Sequence, residues 1–295
     1  MDEKDWIILK ILQEKRSITK TAAAVYISQP ALSKRLRQIE ERFGVTIAHR
    51  NKTGIELTPA GEYLAACAQE LIEKMRIMTE YVNNMGEEVK GTLRIGASYF
   101  CTKYALPDLL MTFKESFPSV ELQVESDWSS EIIQKVTNGD LHIGFVRNDS
   151  FPPEERHLLF QDKMFICSSK PLDLARLPEE PQINYKSDVL VRAELNLWWA
   201  EHYSRPPRVA MVVDRISSSA SMVAKGLGWA FLSEFTASLI PGIHKYPLRH
   251  KDGSPYFRHT WLIWNRDAKQ LKSVTSFIDF AKSFSYPGHP DPYSE

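Results

Sequence analysis

Three cysteines in 295 residues, Cys67, Cys101 and Cys167, are too few and too scattered for a disulfide framework. No apolar run approaches the ~18 residues a membrane span requires. The first residues, Met1 to Asp5, are acidic, and the apolar stretch behind them is broken by Lys10, Gln13 and Glu14. That is not the basic-then-apolar order of a secretion signal, and a cytoplasmic location is expected. Catalytic and cofactor motifs are equally scarce. There is no His-Glu-x-x-His, no Cys-x-x-Cys and no Walker sequence. Gly226 and Gly228 lack the third glycine of a dinucleotide fingerprint. His244 and His250 have no surrounding metal-ligand set. Ser17 to Lys20 and Lys52 to Gly54 mimic two β-lactamase motifs, but they lie too close together to build that site. Neither enzyme chemistry, nor a metal, nor a cofactor is expected.

Net charge is also absent, at a formal value of zero, but the charge is unevenly spread. Residues 1–60 hold eleven basic side chains against seven acidic ones. Six of the bases, Lys34, Arg35, Arg37, Arg42, Arg50 and Lys52, share a stretch with only Glu40 and Glu41 as acids. A local basic face suits phosphate contact without making the whole chain a polyanion binder. A solvated helix face would look the same.

What is present begins with short helices. Ile8, Leu9, Ile11 and Leu12 predict a helix over Lys4 to Glu14. Ser17 caps a second over Ile18 to Tyr26, whose Ala22, Ala23 and Ala24 permit close approach. After a break at Ile27, Ser28 caps a third helix, with Pro30 tolerated in its first turn and Gly44 ending it. Leu32, Leu36, Ile39 and Phe43 make one buried stripe. The other face shows Gln29, Pro30, Ser33, Lys34, Arg37 and Gln38. This is the helix-turn-helix pattern, in which the second helix presents its N-terminal residues to base edges. Gln29 suits adenine, Ser33 several bases, Pro30 a thymine methyl, and Lys34 and Arg37 phosphate or guanine. A structural helix pair fits the pattern as well. Residues 46–50 and 55–58 flank the polar turn Asn51 to Gly54, a β-hairpin wing that puts Arg50, Asn51 and Lys52 at backbone or minor groove.

The runs SITKTAAA at 17–24, SQPALSKRL at 28–36, QIEERFG at 38–44 and LTPAG at 57–61 keep the order and spacing of one family over about sixty positions. The chain closely resembles the LysR-type transcriptional regulators. The resemblance implies that Ser28, Gln29, Pro30 and Ser33 lie at base edges, and that Lys34, Arg37 and the wing tip touch the DNA backbone or minor groove.

Thr58 and Pro59 start a long helix. Leu64, Ala68, Leu71, Met75, Met78, Val82, Met85 and Val89 alternate steps of four and three, an apolar seam that a lone helix cannot bury. A core helix would show it too, but a homodimeric contact, as in the family's linker helix, is the reading favoured here. Two recognition helices on one two-fold axis require an interrupted palindrome. A homodimer or homotetramer is expected, with RNA polymerase as a further partner. Gly86 and Gly91 mark a hinge.

From Thr92 strands and helices alternate, which predicts a sheet covered by helices. The resemblance implies two α/β lobes of the type 2 periplasmic-binding-protein kind, so the whole is an α+β multidomain chain. The expected domains are 1–58 for the winged helix-turn-helix, 59–90 for the linker helix and 91–295 for the effector domain. Lobe I takes 91–167 and 266–295, and lobe II 168–265. The crossings are placed near residues 167–169 and 264–266, and the tail 287–292 is expected to be disordered. Ligands of open α/β folds sit at strand C-termini and helix N-termini. That rule selects Ser98, Tyr99, Trp128, Ser129, Arg147, Ser217 and Ser218, with Asn196 joining from the second lobe. Hydroxyls at helix starts and the planar fork of Arg147 suit a small carboxylate or other anion, and the rings add stacking surface. The serines also serve as ordinary caps, and Arg147 as an ordinary ion pair. His142 departs from the aspartate common at its place in the family. Cys101 lies near the proposed cleft, which raises an oxidant-sensing role with no resolving cysteine in nearby sequence. Two rivals remain: a solute-binding protein, for which the lobes alone would serve, and an enzyme on an α/β scaffold.

Overall fold

The computed structural model describes residues 1–51, 54–86, 88–147 and 155–286. Two compact units emerge, one of residues 1–88 with 138–140 and one of residues 89–137 with 141–295.

The first unit opens with α1 (Glu3–Lys15), α2 (Ile18–Ala24) and α3 (Gln29–Phe43). Each begins on a side-chain cap: Asp2, Ser17 and Ser28 accept the N–H groups of Asp5, Lys20 and Ala31. Such caps satisfy donors that have no partner inside the helix. Ile8, Leu9 and Leu12 of α1, Ala22 of α2, and Leu32, Leu36 and Ile39 of α3 form one core. Two expectations change. The second helix stops at Ala24, because Tyr26 takes a left-handed φ of 55° and turns the chain. Phe43 is 40% exposed at the end of the expected stripe, with its ring edge-on to Trp6 at 6.5 Å.

Strands β1 (Ala48–Asn51) and β2 (Gly54–Leu57) pair antiparallel, with Asn51 opposite Gly54. Helix α4 (Pro59–Asn83) follows, its N-terminus capped by the Thr58 hydroxyl on the Gly61 N–H at 3.0 Å. A Cβ on Gly61 would lie 2.1 Å from the Ile47 carbonyl oxygen, so the motif's glycine is required by the backbone just ahead of β1. The long seam is shorter than expected. Asn84 ends the helix by bonding the carbonyl oxygens of Glu80 and Tyr81, which leaves Met85 and Val89 beyond it. Leu64 and Ala68 are buried, whereas Met78 and Val82 are exposed.

The second unit contains β3 (Gly91–Ser98), α5 (Tyr99–Tyr104), α6 (Leu106–Ser116), β4 (Val120–Asp127), α7 (Ser129–Thr137) and β5 (Ile143–Val146). Then come β6 (Arg156–Ser168), β7 (Gln182–Tyr185), α8 (Val189–His202), β8 (Val209–Val213), α9 (Ile216–Ala224) and β9 (Ala230–Ser233). Short α10 (Glu234–Ser238), β10 (His244–Pro247), β11 (Phe257–Trp264) and α11 (Lys272–Ser283) complete it. Strands β4, β3 and β5 run parallel, and β11 joins β5 antiparallel. The near-continuous burial of β3 and β5 fits strands covered on both faces.

Strand β6 links the two lobes. Residues 156–163 pair with β11, and residues 164–168 pair with β9 and β10. The handovers therefore fall at Lys163/Met164 and Tyr256/Phe257. They come before the expected positions at 167–169 and 264–266, because β11 is hydrogen-bonded to β5 of the first lobe. Within the second lobe, β7 and β8 pair parallel over a core that includes Trp198, Trp199, Trp229 and Phe231. No helix among the described residues is long and apolar enough to cross a membrane. The tail expected to be disordered lies outside the described residues.

Candidate nucleic-acid interface and effector cleft

Burial of Leu32, Leu36 and Ile39 fixes which way α3 faces, and leaves Gln29, Pro30, Lys34 and Arg37 exposed with Ser33 half-buried. Ser28 is exposed, and its hydroxyl accepts the Ala31 N–H at 3.3 Å. One neighbouring base is unavailable to phosphate: Arg35 bonds Asp5 at 2.6 Å and Asp2 at 2.9 Å, tying α3 to α1. That guanidinium also holds the Asp2 carboxyl below its ordinary pKa. Asn51 is exposed at the end of β1. Lys52 and the side chain of Arg50 lie outside the described residues. Tyr26, just ahead of α3, is 95% exposed.

Within the second unit a cleft of about 100 Å³ lies between the two lobes. One water needs roughly 10–15 Å³ on this measure, so the space suits a small molecule and not a chain segment. Ser98, Tyr99, Trp128, Ser129 and Arg147 all line it, as the sequence reading expected. Each arrives at a strand end or helix start. Ser98 caps α5 through the Cys101 N–H, and the Ser129 hydroxyl accepts the Arg147 backbone N–H at 3.1 Å. Three expected residues are elsewhere. Asn196 lines a separate cavity in the second lobe. Helix α9 begins one residue before Ser217, so Ser217 and Ser218 sit inside its first turn, and Arg215 and Ile216 reach the cleft instead.

Other lining residues were announced by no motif: Tyr185, Lys186 and Asp188 from the second lobe, and Arg258 from β11. Asp188 Oδ2 accepts the Ser130 N–H at 2.9 Å, joining the lobes at the start of α7. Carboxylates are favoured at such helix starts. Arg215 lies 3.6 Å over the Tyr99 ring and 5.3 Å from that of Trp128, a cation–π contact across the cleft. Phe235 of α10 meets Phe100 and Tyr104 at centroid distances of 5.8 and 5.1 Å.

Arg147 is not the open fork the sequence suggested. Its Nη2 bonds Asp162 at 2.7 Å, with side chains 5% and 3% exposed, and its guanidinium lies 3.9 Å over Phe100. Burial pushes its pKa down, and the neighbouring Asp162 opposes that shift. The remaining cations differ in commitment. Lys186 bonds Asp214 at 2.6 Å, while Arg258 donates to the Arg147 carbonyl oxygen at 3.0 Å. Arg215 and Arg258 thus reach the cleft with no carboxylate partner among the described residues. The buried Tyr185 hydroxyl and Arg147 Nε lack hydrogen-bond partners there as well. Cys101 is fully buried, and burial pushes its thiol up to about 11, which removes the thiolate that oxidant sensing needs. His142 is buried against Arg94, whose backbone N–H and Nη2 both approach its ring.

The comparisons with known proteins divide the chain where the structure does. Residues 4–62 match the model of the bacterial regulatory helix-turn-helix protein, lysR family, and residues 86–285 match the LysR substrate binding domain. The chain belongs to the LysR family of transcriptional regulators. The HTH-type transcriptional regulator YraN of Bacillus subtilis is 34% identical over 282 residues, 96% of this chain and 98% of the relative. YkuM of the same organism is 30% identical over 278 residues, covering 93% and 94%. A full-length OxyR variant from Pseudomonas aeruginosa superposes with a TM-score of 0.65 at 20% identity, over 100% of this chain and 99% of that one. Full-length CbnR complexed with its target DNA superposes with a TM-score of 0.60 at 18% identity, over 96% and 99%. Likeness at that identity speaks for the fold alone.

This LysR-family chain is therefore a DNA-binding transcriptional regulator with an effector-binding domain, and not an enzyme. That sets aside both rival readings, the transport binding protein and the α/β enzyme. The residues that sequence reasoning missed, Tyr185, Asp188, Arg215 and Arg258, share no spacing pattern. Only one cue existed for Arg215: it directly precedes a serine-rich helix start.

Proposed function

We propose that this regulator reads DNA with the N-terminal face of α3 and is controlled by a small carboxylate or other anion held between its lobes. The single observation that carries the anion is the imbalance of the cleft lining. Arg147, Lys186, Arg215 and Arg258 stand against Asp127 and Asp188, and Arg215 and Arg258 have no carboxylate partner among the described residues. A guanidinium pair in a half-dry cleft favours a planar anion over a neutral ligand. Ser98 and Ser129 lie at the cleft, and Tyr99 and Trp128 flank it with ring surface. In this revised reading Arg258 and Arg215 are the anchors, and Arg147 backs them from behind its pair with Asp162.

On the DNA side, Gln29, Pro30 and Ser33 meet base edges. Ser28, Lys34 and Arg37, with Arg50, Asn51 and Lys52 of the wing, hold the backbone. The exposed stripe of Met78, Tyr81 and Val82 on α4 supports a homodimer, which doubles the recognition helix over an interrupted palindrome. The division into residues 1–58, 59–90 and 91–295 belongs to this reading, as do a homotetramer and contact with RNA polymerase. Control works only if the anion binds two states unequally, shifting their populations.

Melting of the full-length protein against millimolar benzoate, citrate and phosphate tests the cleft. One of these anions should raise the melting temperature of the wild type, and Arg258→Gln should abolish that rise. An equal rise in Arg258→Gln would refute the anchor assignment.

A further inference from the structure

Helix α2 ends in a turn whose hydrogen bonds define its backbone. The Ile27 N–H donates to the Ala22 carbonyl oxygen at 3.0 Å, and the Tyr26 N–H to that of Ala23 at 3.3 Å. This pair of bonds closes a helix through one residue in the left-handed region, a place usually taken by glycine. Here Tyr26 takes it, at a φ of 55°. Glycine adopts that conformation freely, whereas a residue with a Cβ is strained in it. Ile27, the next residue, packs against the core of the unit. Tyr26 does not: at 95% exposure its ring gains almost nothing from the fold.

Tyr26 therefore brings backbone strain and no packing. Strain of this kind clusters at functional sites. Its place in the chain points to one. Tyr26 lies two positions before Ser28, the cap of α3, and two residues of chain span at most about 7 Å. The major groove is about 12 Å wide. A side chain so close to the N-terminus of a helix in that groove stands within reach of the groove's rim, where the phosphates lie. The local charge agrees. From Lys15 to Ile39 the sequence has six basic residues and no acidic one. Lys20 and Lys34, on either side of the turn in sequence, are both exposed.

We infer that Tyr26 is a further DNA contact of this regulator, its phenol hydroxyl donating to a phosphate oxygen at the rim of the groove that α3 enters. The inference rests on the docking of α3 proposed above. Tyrosine is among the side chains that bond the DNA backbone, and such contacts position a protein without reading sequence. Tyr26 stands ahead of the helix, outside the stretch from Gln29 to Ser33 assigned to base edges, so a phosphate and not a base is its partner. The hydroxyl adds no positive charge. Unlike Lys34, it releases no counterion when it binds.

The test uses full-length protein and two duplexes, one selected by the wild type from a random-sequence pool and the other its shuffled counterpart. Affinity is read by fluorescence anisotropy over a series of salt concentrations. Tyr26→Phe should weaken binding to both duplexes by about threefold or more, through loss of the hydroxyl. Tyr26→Gly should weaken both at least as much. Neither variant should change the slope of log K against log salt. Tyr26→Gly should also melt at or above the wild type, because glycine relieves the left-handed strain and no packing is lost. Full affinity in Tyr26→Phe overturns the inference. So does a loss confined to the selected duplex, a flatter salt slope in Tyr26→Phe, or a clear drop in the melting temperature of Tyr26→Gly. The variant Gln29→Ala with Ser33→Ala, measured alongside, keeps the two readings apart. Retained preference for the selected duplex in that variant refutes the docking of α3. Lost preference there, beside full affinity in Tyr26→Phe, refutes the Tyr26 contact alone.

Discussion

Asp162→Asn should be among the most damaging single changes in the effector domain, although it alters no shape. Asp162 and Arg147 are 3% and 5% exposed and 2.7 Å apart, so neither charge has water to fall back on. Removing one partner of a buried pair costs about 3–5 kcal/mol, most of it from the stranded charge. Arg258 lies opposite Asp162 in the β6–β11 register, so the stranded Arg147 would also face a like charge. In a domain of this size each kcal/mol lowers the melting temperature by roughly 2–4 °C, which places the expected drop at roughly 6–20 °C. Arg147→Met should also be costly, since it strands the Asp162 carboxylate in its turn. The double variant Arg147→Met with Asp162→Leu should recover much of the loss, because an apolar pair of similar volume often replaces a buried ion pair at little cost. Circular dichroism melts of the wild type, Arg147→Met, Asp162→Leu and their double variant close the double-mutant cycle, with Asp162→Asn measured beside them. A drop below about 2 °C for Asp162→Asn would refute the argument that Asp162 neutralises the buried Arg147 guanidinium.

Other outcomes follow from the same residues. Gln29→Ala with Ser33→Ala should abolish a two-half-site footprint, while Lys34→Ala should weaken all sequences alike and flatten the log K against log salt slope by about one unit; retained sequence preference in the double variant would remove Gln29 and Ser33 from base reading. Val82→Glu, placed on the exposed stripe of α4, should convert the oligomer to monomer in sedimentation at micromolar concentration, and an unchanged mass would exclude that stripe from the interface. Iodoacetamide at pH 8 should leave native Cys101 and Cys167 unmodified and label Cys67, read by mass spectrometry, because burial pushes the first two thiols up to about 11 and about 12. The sign of the linked stability change is fixed. Above the ordinary thiol pKa of 9 the unfolded chain loses these protons while the folded one keeps them, so stability should fall as pH rises from 9 towards 11.

Much of the first unit was legible because its determinants are local. Ser17, Ser28 and Thr58 each cap the helix that follows them, and Gly44 takes the left-handed turn that ends α3. The spacing of Leu32, Leu36 and Ile39 fixes which face of α3 is exposed. The seam failed where a local signal outweighed the pattern. Met85 and Val89 keep the heptad step, but Asn84 takes the last carbonyls and stops the helix before them. Ser98, Tyr99, Trp128, Ser129 and Arg147 line the cleft at strand ends and helix starts, where the topological rule looks. Asn196 lines another cavity, and no local rule says which cavity a helix face lines.

The sequence by itself determined the helix-turn-helix and wing, the alternation of strands and helices from Thr92 and the family, since each rests on caps, periodicity or a motif within a few residues. Only the tertiary structure decided that Arg147 spends its charge on Asp162, that Asp188 bonds the start of α7 and that Arg215 and Arg258 meet at the cleft. Those partners are brought together by strands crossing between lobes, and pairing across such distances leaves no trace in residue spacing.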